Sequence, residues 1–158
     1  DGSPVHFVIV GDGHLRNSLE QNAVELNLSN LSFAGNRKDI APILSELDIF
    51  VLTSKNEGTP LSMIEAMAAG VPVISTAVGG VVDLAGRIER HEDGFEIAER
   101  AVLVSTFDPA DLQKGLLYLL KNEKVRETLG LRTAQFVDER YSVTRLVSDV
   151  AQLYRDVE

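Results

Sequence analysis

The sequence predicts an α/β fold, in which helices cover both faces of a parallel sheet. Short runs rich in β-branched residues, such as Ile49–Thr53 and Val71–Thr76, alternate with longer helical patterns along the chain. Glycine, proline and acidic residues follow these runs, at the positions where open α/β sheets bind ligands. The 158 residues, 44% hydrophobic and 25% charged, fit one globular domain spanning 1–158.

The order of elements follows from the alternation of apolar runs with amphipathic patterns. The predicted strands are Val5–Val10, Leu31–Ala34, Ile49–Thr53, Val71–Thr76 and Ala101–Ser105. The predicted helices are His14–Asn27, Asp39–Glu46, one that begins at Pro60, and then Pro109–Lys121, Glu123–Glu139 and Val143–Val157. Asp108 and Ser142 are the expected N-caps of two of the last three. The charged stretch Arg87–Arg100 has the least pattern, and we expect a surface loop there.

The segment after Ile49–Thr53 carries two acidic residues eight positions apart, Glu57 in a loop and Glu65 in the helix that follows. Thr59 fits its N-cap, Pro60 its first position and Gly70 the position just after its end. The helix is apolar almost all round except at Ser62 and Glu65, which are neighbours on the helical wheel. The spacing permits two interpretations. Either Glu65 lies in a buried helix and needs a partner or a water-filled cleft, or it marks an exposed stripe.

Composition excludes several classes of function. The net charge of −9 argues against nucleic acid or an anionic membrane as a partner. The absence of cysteine excludes disulfide scaffolds, cysteine–zinc sites and thiol catalysis. No apolar stretch approaches the length of a membrane span and no signal peptide is visible, so we expect a soluble, cytoplasmic segment. The chain begins Asp1-Gly2-Ser3-Pro4 without Met, which suggests a piece of a longer protein.

The segment E-G-T-P-L-S-M-I-E-A-M-A-A-G-V-P-V-I resembles the E-x7-E signature of retaining glycosyltransferases of family 4, among the glycosyl transferases group 1. F-V-I-V-G-D-G-H-L, L-S-F-A-G-N-R-K-D-I, L-D-I-F-V-L-T-S, A-V-G-G and the tail from F-D-P-A-D-L to L-Y-R-D-V fall in the same order as in that family. The resemblance covers nearly the whole chain. It implies the carboxy-terminal, donor-binding domain, a Rossmann-like three-layer domain that is one half of a GT-B fold.

The resemblance also implies roles for the site residues. Glu57 contacts hydroxyls of the donor sugar and, as the catalytic residue, helps to stabilise an oxocarbenium-like transition state. Glu65 suits the ribose, because one carboxylate accepts charge-assisted hydrogen bonds from two adjacent hydroxyls. The backbone N–H groups of Leu61 and Ser62 face a phosphate at the positive end of their helix. The other donor-binding residues are Gly11, Asp12, Gly13, Asn36, Arg37, Lys38, Gly58, Thr59, Pro60, Gly79 and Gly80. A solvated loop is the alternative for Arg37 and Lys38.

The expected partner is a nucleotide-sugar donor such as a UDP- or GDP-sugar, with no metal or other cofactor. A sugar or lipid-linked acceptor would bind through an amino-terminal domain missing here, and the full-length protein is either cytoplasmic or membrane-peripheral. The family's Arg and Lys-Gly, which hold the diphosphate, are also missing, so this chain alone should be inactive. A missing first strand would leave an exposed strand edge open to self-association. The chain departs from the family at the charge-rich run Asp83–Arg100.

Two other functions remain as alternatives. An enzyme similar to UDP-N-acetylglucosamine 2-epimerases shares the architecture, but E-G-x-P followed by E-A-M-A-A-G disfavours it. A non-catalytic nucleotide-binding module is disfavoured by the glycines and acids clustered after the strands. Gly11-Asp12-Gly13 fails as a dinucleotide fingerprint, because Arg16 stands where the third glycine is needed.

Overall fold

The computed structural model describes residues 5–157, so the chain start Asp1–Pro4 discussed above lies outside the described residues. The chain divides into two compact units, Asp1–Ile40 and Ala41–Glu158. Each unit is described by itself. That the whole of 1–158 forms one nucleotide-sugar-binding domain stays a prediction.

The first unit is a βαβ arrangement. Strand β1 (Phe7–Val10) and strand β2 (Leu31–Gly35) pair in parallel, and helix α1 (Arg16–Glu25) connects them. The predicted order is confirmed; β1 and α1 are shorter than expected, and β2 extends one residue further, to Gly35. Helix α1 begins at Arg16 rather than at His14, because its N-cap is Leu15, whose carbonyl accepts the first i→i−4 bond, from the N–H of Leu19 (3.0 Å).

The apolar side chains of this unit remain largely uncovered. The four β1 residues, Phe7 to Val10, are 39–42% exposed, although successive side chains point to opposite faces of a strand. Helix α1 buries no residue. In the described part of the chain β1 pairs with β2 alone, and a two-stranded sheet is marginal in water without further strands or packing.

The second unit is built on a five-stranded sheet with the order β3-β4-β7-β6-β5. Strands β3 (Phe50–Leu52), β4 (Val73–Thr76) and β7 (Val102–Val104) run in parallel. Every residue of β4 and β7 is buried, as their β-branched sequences predict for central strands. The predicted Rossmann-like α/β fold with a mainly parallel sheet is therefore confirmed.

The charged stretch predicted to be a surface loop is instead a β-hairpin. Strands β5 (Ile88–Glu92) and β6 (Phe95–Ala98) pair antiparallel, and β6 pairs antiparallel with β7. The signal was present in the sequence, because Asp93-Gly94 is a favoured two-residue hairpin turn, and Gly94 has a φ of +86°. Strand β5 forms the edge of the sheet, and its charged side chains suit it to face water.

The core of the second unit lies between the sheet and the helices that follow it. Its buried cluster comprises Ile74, Phe95, Ile97, Val102, Val104, Leu119 and Leu129. Helices α5 (Pro109–Lys121) and α6 (Glu123–Tyr141) supply the last two of these residues. The bounds of α5 are as predicted, and Asp108 caps it by accepting a hydrogen bond from the N–H of Ala110 (2.9 Å).

The remaining helices of this unit are α2 (Ile40–Ser45), whose first residue belongs to the first unit, α3 (Leu61–Ala68), α4 (Gly80–Ala85) and α7 (Val143–Val157). Helix α7 has the predicted bounds, and Ser142 Oγ accepts a hydrogen bond from the N–H of Arg145 (3.4 Å). In the described residues, no helix combines the length and apolar character needed to cross a membrane.

Candidate functional site

The loop between β3 and α3 carries Glu57, and three hydrogen bonds hold it. The hydroxyl of Ser54 donates to Glu57 Oε1 (2.6 Å), and the hydroxyl of Thr76 donates to the carbonyl of Ser54 (2.5 Å). The N–H of Gly80 donates to the carbonyl of Glu57 (3.3 Å). Glu57 is half-buried. The loop that follows β3 is thus tied to β4 and to the start of α4.

The glycine pair Gly79-Gly80 lies directly against this loop. A Cβ atom on Gly79 would overlap the carbonyl oxygen of Glu57, and one on Gly80 would overlap that of Gly58. Gly79 also has a φ of +47°, which favours glycine. The sequence predicted that Gly79-Gly80 and the Glu57 loop belong to one site, and the structure brings these two segments together.

Helix α3 begins one residue later than predicted. Pro60, with φ −75° and ψ 92°, is its N-cap, and Thr59 makes no capping hydrogen bond. The prediction of Thr59 as N-cap and Pro60 as first helical residue was therefore wrong, because the extended ψ of Pro60 keeps it outside the helix. The first intrahelical bond comes from the N–H of Met63. Among the described residues, the N–H groups of Leu61 and Ser62 have no hydrogen-bond partner, as expected for a first turn.

The other end of α3 is as predicted. Gly70 has a φ of +73°, and its N–H donates to the carbonyl of Met67 (3.0 Å). The N–H of Val71 donates to the carbonyl of Ala66 (3.0 Å), which completes a Schellman motif. Helix α6 passes close to this turn, since a Cβ on Gly130 would overlap the carbonyl oxygen of Gly70.

Glu65 lies on an exposed stripe of α3. The helix buries Met63, Ala66 and Met67, whereas Leu61, Ser62, Glu65, Ala68 and Ala69 are exposed. Of the two interpretations left open by the sequence, the exposed stripe is correct for this unit and the buried helix is wrong. Apolar composition all round misled the prediction, because Ala68, Ala69 and Leu61 face outward. Glu65 lies one turn from Leu61, on the same side, and its carboxylate has no partner among the described residues.

In the first unit, the loop after β1 contacts the last residue of β2. The N–H of Gly11 donates to the carbonyl of Gly35 (2.8 Å). Asp12 folds back on its own loop, since its carboxylate accepts from the N–H of Gly13 (2.8 Å) and from Arg16 (3.4 Å). Gly11–Gly13 and the start of Asn36–Lys38 therefore lie at one end of the small sheet.

The side chains of Asn36, Arg37 and Lys38 are exposed. Arg37 is paired with Asp39, and hydrogen bonding from its guanidinium lowers the pKa of Asp39 to about 2. The same hydrogen bond raises the pKa of Arg37. This pairing neutralises the charge of Arg37 within its own loop, and the donor-binding role of the loop stays a prediction. Lys38 has no ion pair among the described residues.

The predicted site residues thus form two groups, one in each unit. Glu57, Gly58, Thr59, Pro60, Leu61, Ser62, Glu65, Gly79 and Gly80 belong to the second unit. Gly11, Asp12, Gly13, Asn36, Arg37 and Lys38 belong to the first. That both groups line one donor site stays a prediction. The sequence analysis missed Ser54 and Thr76, although a serine three residues before Glu57 is within reach of its carboxylate.

Among residues 5–157, no three His, Asp or Glu side chains cluster in a way that could hold a metal ion. The Glu57 loop and α3 carry the Glu57 carboxylate, the free N–H groups at the start of α3 and the exposed Glu65. Together they offer an acceptor for hydroxyl groups and donors for an anion.

The second unit, with its mainly parallel sheet and its acidic loop and glycine turn after the strands, has the Rossmann-like architecture of GT-B glycosyltransferases. The family model "Glycosyl transferases group 1" matches residues 1–122. The chain belongs to this glycosyltransferase family.

Relatives of known name agree with the family. The chain is 29% identical over 152 residues to N-acetyl-alpha-D-glucosaminyl L-malate synthase of Bacillus anthracis, covering 96% of this chain and 37% of the relative. It is 31% identical over 153 residues to the Escherichia coli UDP-Gal:alpha-D-GlcNAc-diphosphoundecaprenol alpha-1,3-galactosyltransferase, covering 96% and 37%. The chain therefore spans about two-fifths of the length of these relatives.

Solved structures share the fold. Anabaena HepE in complex with UDP matches with a TM-score of 0.80 and 21% identity, over 96% of this chain and 41% of HepE. Sucrose-phosphate synthase of Thermosynechococcus elongatus matches with a TM-score of 0.78 and 27% identity, over 95% and 38%. HepE has also been solved with UDP-glucose.

Proposed function

We propose that this chain is the donor-binding domain of a retaining glycosyltransferase of family 4. The full-length protein would transfer a hexosyl group from a nucleotide sugar to an acceptor bound by an amino-terminal domain. The observation that carries the proposal is the Glu57 loop, anchored against Gly79-Gly80 and followed at once by the free N-terminus of α3. The names of the relatives and the nucleotide complexes of HepE support it.

The diphosphate, the ribose and the sugar of the donor each have a counterpart among these residues. The N–H groups of Leu61 and Ser62 face the diphosphate at the positive end of α3. Glu65, one turn along, accepts hydrogen bonds from the ribose hydroxyls. Glu57 contacts the sugar, and its negative charge stabilises the positive charge that develops on the sugar ring as the bond to the diphosphate breaks. Because GT-B enzymes generally need no metal, EDTA should leave donor binding unchanged.

The proposal is tested by titrating the full-length protein with UDP, GDP and their hexose conjugates in a calorimeter. We expect one nucleotide to bind, and its sugar conjugate to bind more tightly than the nucleotide alone. Product analysis then separates transfer from epimerisation, because an epimerase needs no acceptor. A full-length protein that binds none of these nucleotides would contradict the proposal.

The isolated chain should fold, bind nucleotide weakly and transfer no sugar. The α3 N-terminus contributes only about 0.3–1 kcal/mol to anion binding when exposed, and the net charge of −9 opposes a diphosphate. The same calorimetric titration on the 158-residue chain checks this prediction. A submicromolar dissociation constant, or sugar transfer by this chain alone, would be the contrary result.

We also propose that the isolated chain self-associates through the free edge of β1. Within residues 5–157 the strand pairs with β2 alone, and it is apolar on both faces. An uncovered edge of this kind pairs readily with another strand. Sedimentation velocity should show oligomers that grow with protein concentration. Val8→Lys should suppress them, whereas Leu28→Lys, which adds the same charge outside the strand, should not. A wild-type chain that stays monomeric at all concentrations would disprove the edge contact.

A further inference from the structure

Two hydroxyl groups connect the core of the second unit to the carboxylate of Glu57. Thr76 ends the buried strand β4 and is itself 6% exposed. Its hydroxyl donates to the carbonyl of Ser54 (2.5 Å), and the hydroxyl of Ser54 donates to Glu57 Oε1 (2.6 Å). A buried strand is therefore linked, through two short hydrogen bonds, to a carboxylate on a loop.

This connection restricts Glu57 in a way that the loop alone would not. A half-buried glutamate has three side-chain torsions, and ordering them costs conformational entropy. The bond from Ser54 selects one orientation before any ligand arrives, and it is charge-assisted. Because it occupies Oε1, the second oxygen Oε2 remains available, and the described residues offer it no hydrogen-bond donor.

The backbone of Glu57 is held independently of its side chain. The N–H of Gly80 donates to the Glu57 carbonyl (3.3 Å), and Gly79 and Gly80 leave no space for the loop to move toward α4. Removing the Ser54 hydroxyl would therefore release the carboxylate, while the contacts between the loop and the glycine pair remain. This separation allows orientation of the side chain to be tested apart from folding of the loop.

We propose that Ser54 is a positioning residue, which orients the Glu57 carboxylate toward the donor sugar, and that Thr76 holds Ser54 in place. The inference rests on the proposed function, since it assumes that Glu57 contacts the sugar. Ser54 touches no reacting atom. Its contribution appears in recognition of the sugar, and nucleotide recognition does not depend on it.

The test compares the nucleotide with its sugar conjugate in the full-length protein. Calorimetry gives the dissociation constants for UDP and UDP-glucose, and for GDP and GDP-mannose as a second pair. For the pair that binds, we divide the dissociation constant of the nucleotide by that of its sugar conjugate. This ratio, here called the sugar increment, measures how much the sugar adds to affinity. We expect Ser54→Ala to reduce this increment about tenfold, the scale of one hydrogen bond to a charged group, and to leave nucleotide affinity unchanged. Ser54→Thr, which keeps the hydroxyl, should restore it.

Matched variants separate orientation from general damage. Ser105→Ala removes a serine hydroxyl that also donates to a glutamate, Glu96 Oε2 (2.8 Å), and should leave the increment unchanged. Ser54→Ala in the Glu57→Ala background should add no further loss, because the group that it orients is gone. Thr76→Val leaves Ser54 itself intact and should lower the increment as well. Thermal unfolding shows whether Ser54→Ala folds. If it does not, the Thr76→Val variant still tests the inference.

Two results would overturn the inference. One is an unchanged sugar increment in Ser54→Ala. The other is an equal loss of affinity for nucleotide and conjugate, which would make Ser54 a structural residue only. If Glu57→Ala itself leaves the increment intact, or the wild-type protein binds neither pair, the proposed function fails, and this inference fails with it.

Discussion

Gly80→Ala should abolish most of the transfer activity of the full-length protein. The added Cβ would overlap the backbone oxygen of Gly58 and approach Pro60 Cδ at 3.6 Å, so either the Glu57 loop or the start of α4 must move. The hydrogen bond from the Gly80 N–H to the Glu57 carbonyl would be strained or lost. A displacement near 1 Å at a reacting group costs about 100-fold in rate, and we expect a decrease of that size in kcat/KM.

The same substitution should lower the free energy of unfolding of the chain. Overpacking against backbone typically costs about 1–3 kcal/mol, and the better helix propensity of alanine offsets up to about 1 kcal/mol of it. Urea unfolding measures the net change. Gly58→Ala is the matched control for stability, because a Cβ there meets no atom within 4 Å. If Gly80→Ala kept wild-type stability and activity, the close packing of loop and glycine turn would be refuted.

Glu65→Ala should weaken nucleotide binding by about 1.5–3 kcal/mol, the range for a hydrogen bond to a charged group. This corresponds to a dissociation constant about 10- to 150-fold higher. Glu65 is exposed and has no partner among the described residues, so its removal should not disturb the fold. Glu65→Gln retains the shape and one acceptor and should cost less.

Calorimetric titration of the full-length variants with the free nucleoside diphosphate measures this effect. Glu127→Ala is the matched control, because it removes an exposed glutamate from another helix of the same unit. It corrects for the change in net charge, which by itself favours binding of an anion. An unchanged affinity in Glu65→Ala would exclude the role of Glu65 at the ribose.

Several features were predictable because their causes are local in the sequence. Asp108 and Pro109 set the start of α5, as the bond from the Ala110 N–H confirms. Gly70 ends α3 in the left-handed conformation that only glycine adopts without strain. Strands β4 and β7 were recognisable because continuous β-branched runs indicate strands buried on both faces. Even the β5–β6 hairpin had a local signal, the turn dipeptide Asp93-Gly94. The many charged residues around it favoured the prediction of a surface loop instead.

The order of the five-stranded sheet and the exposure of α3 were decided only by tertiary structure. Hydrophobic composition around a helix does not specify which face packs, and α3 buries only the side that carries Met63, Ala66 and Met67. The site shows the same division. By itself the sequence determined the family, through motifs such as E-G-T-P followed by E-A-M-A-A-G, whereas the donor site implied by that resemblance stays a prediction. The contacts of Thr76 with Ser54, and of Gly80 with Glu57, join residues 22 or more positions apart. Such contacts form only when folding brings the carboxyl ends of β3 and β4 together, so no local pattern encodes them.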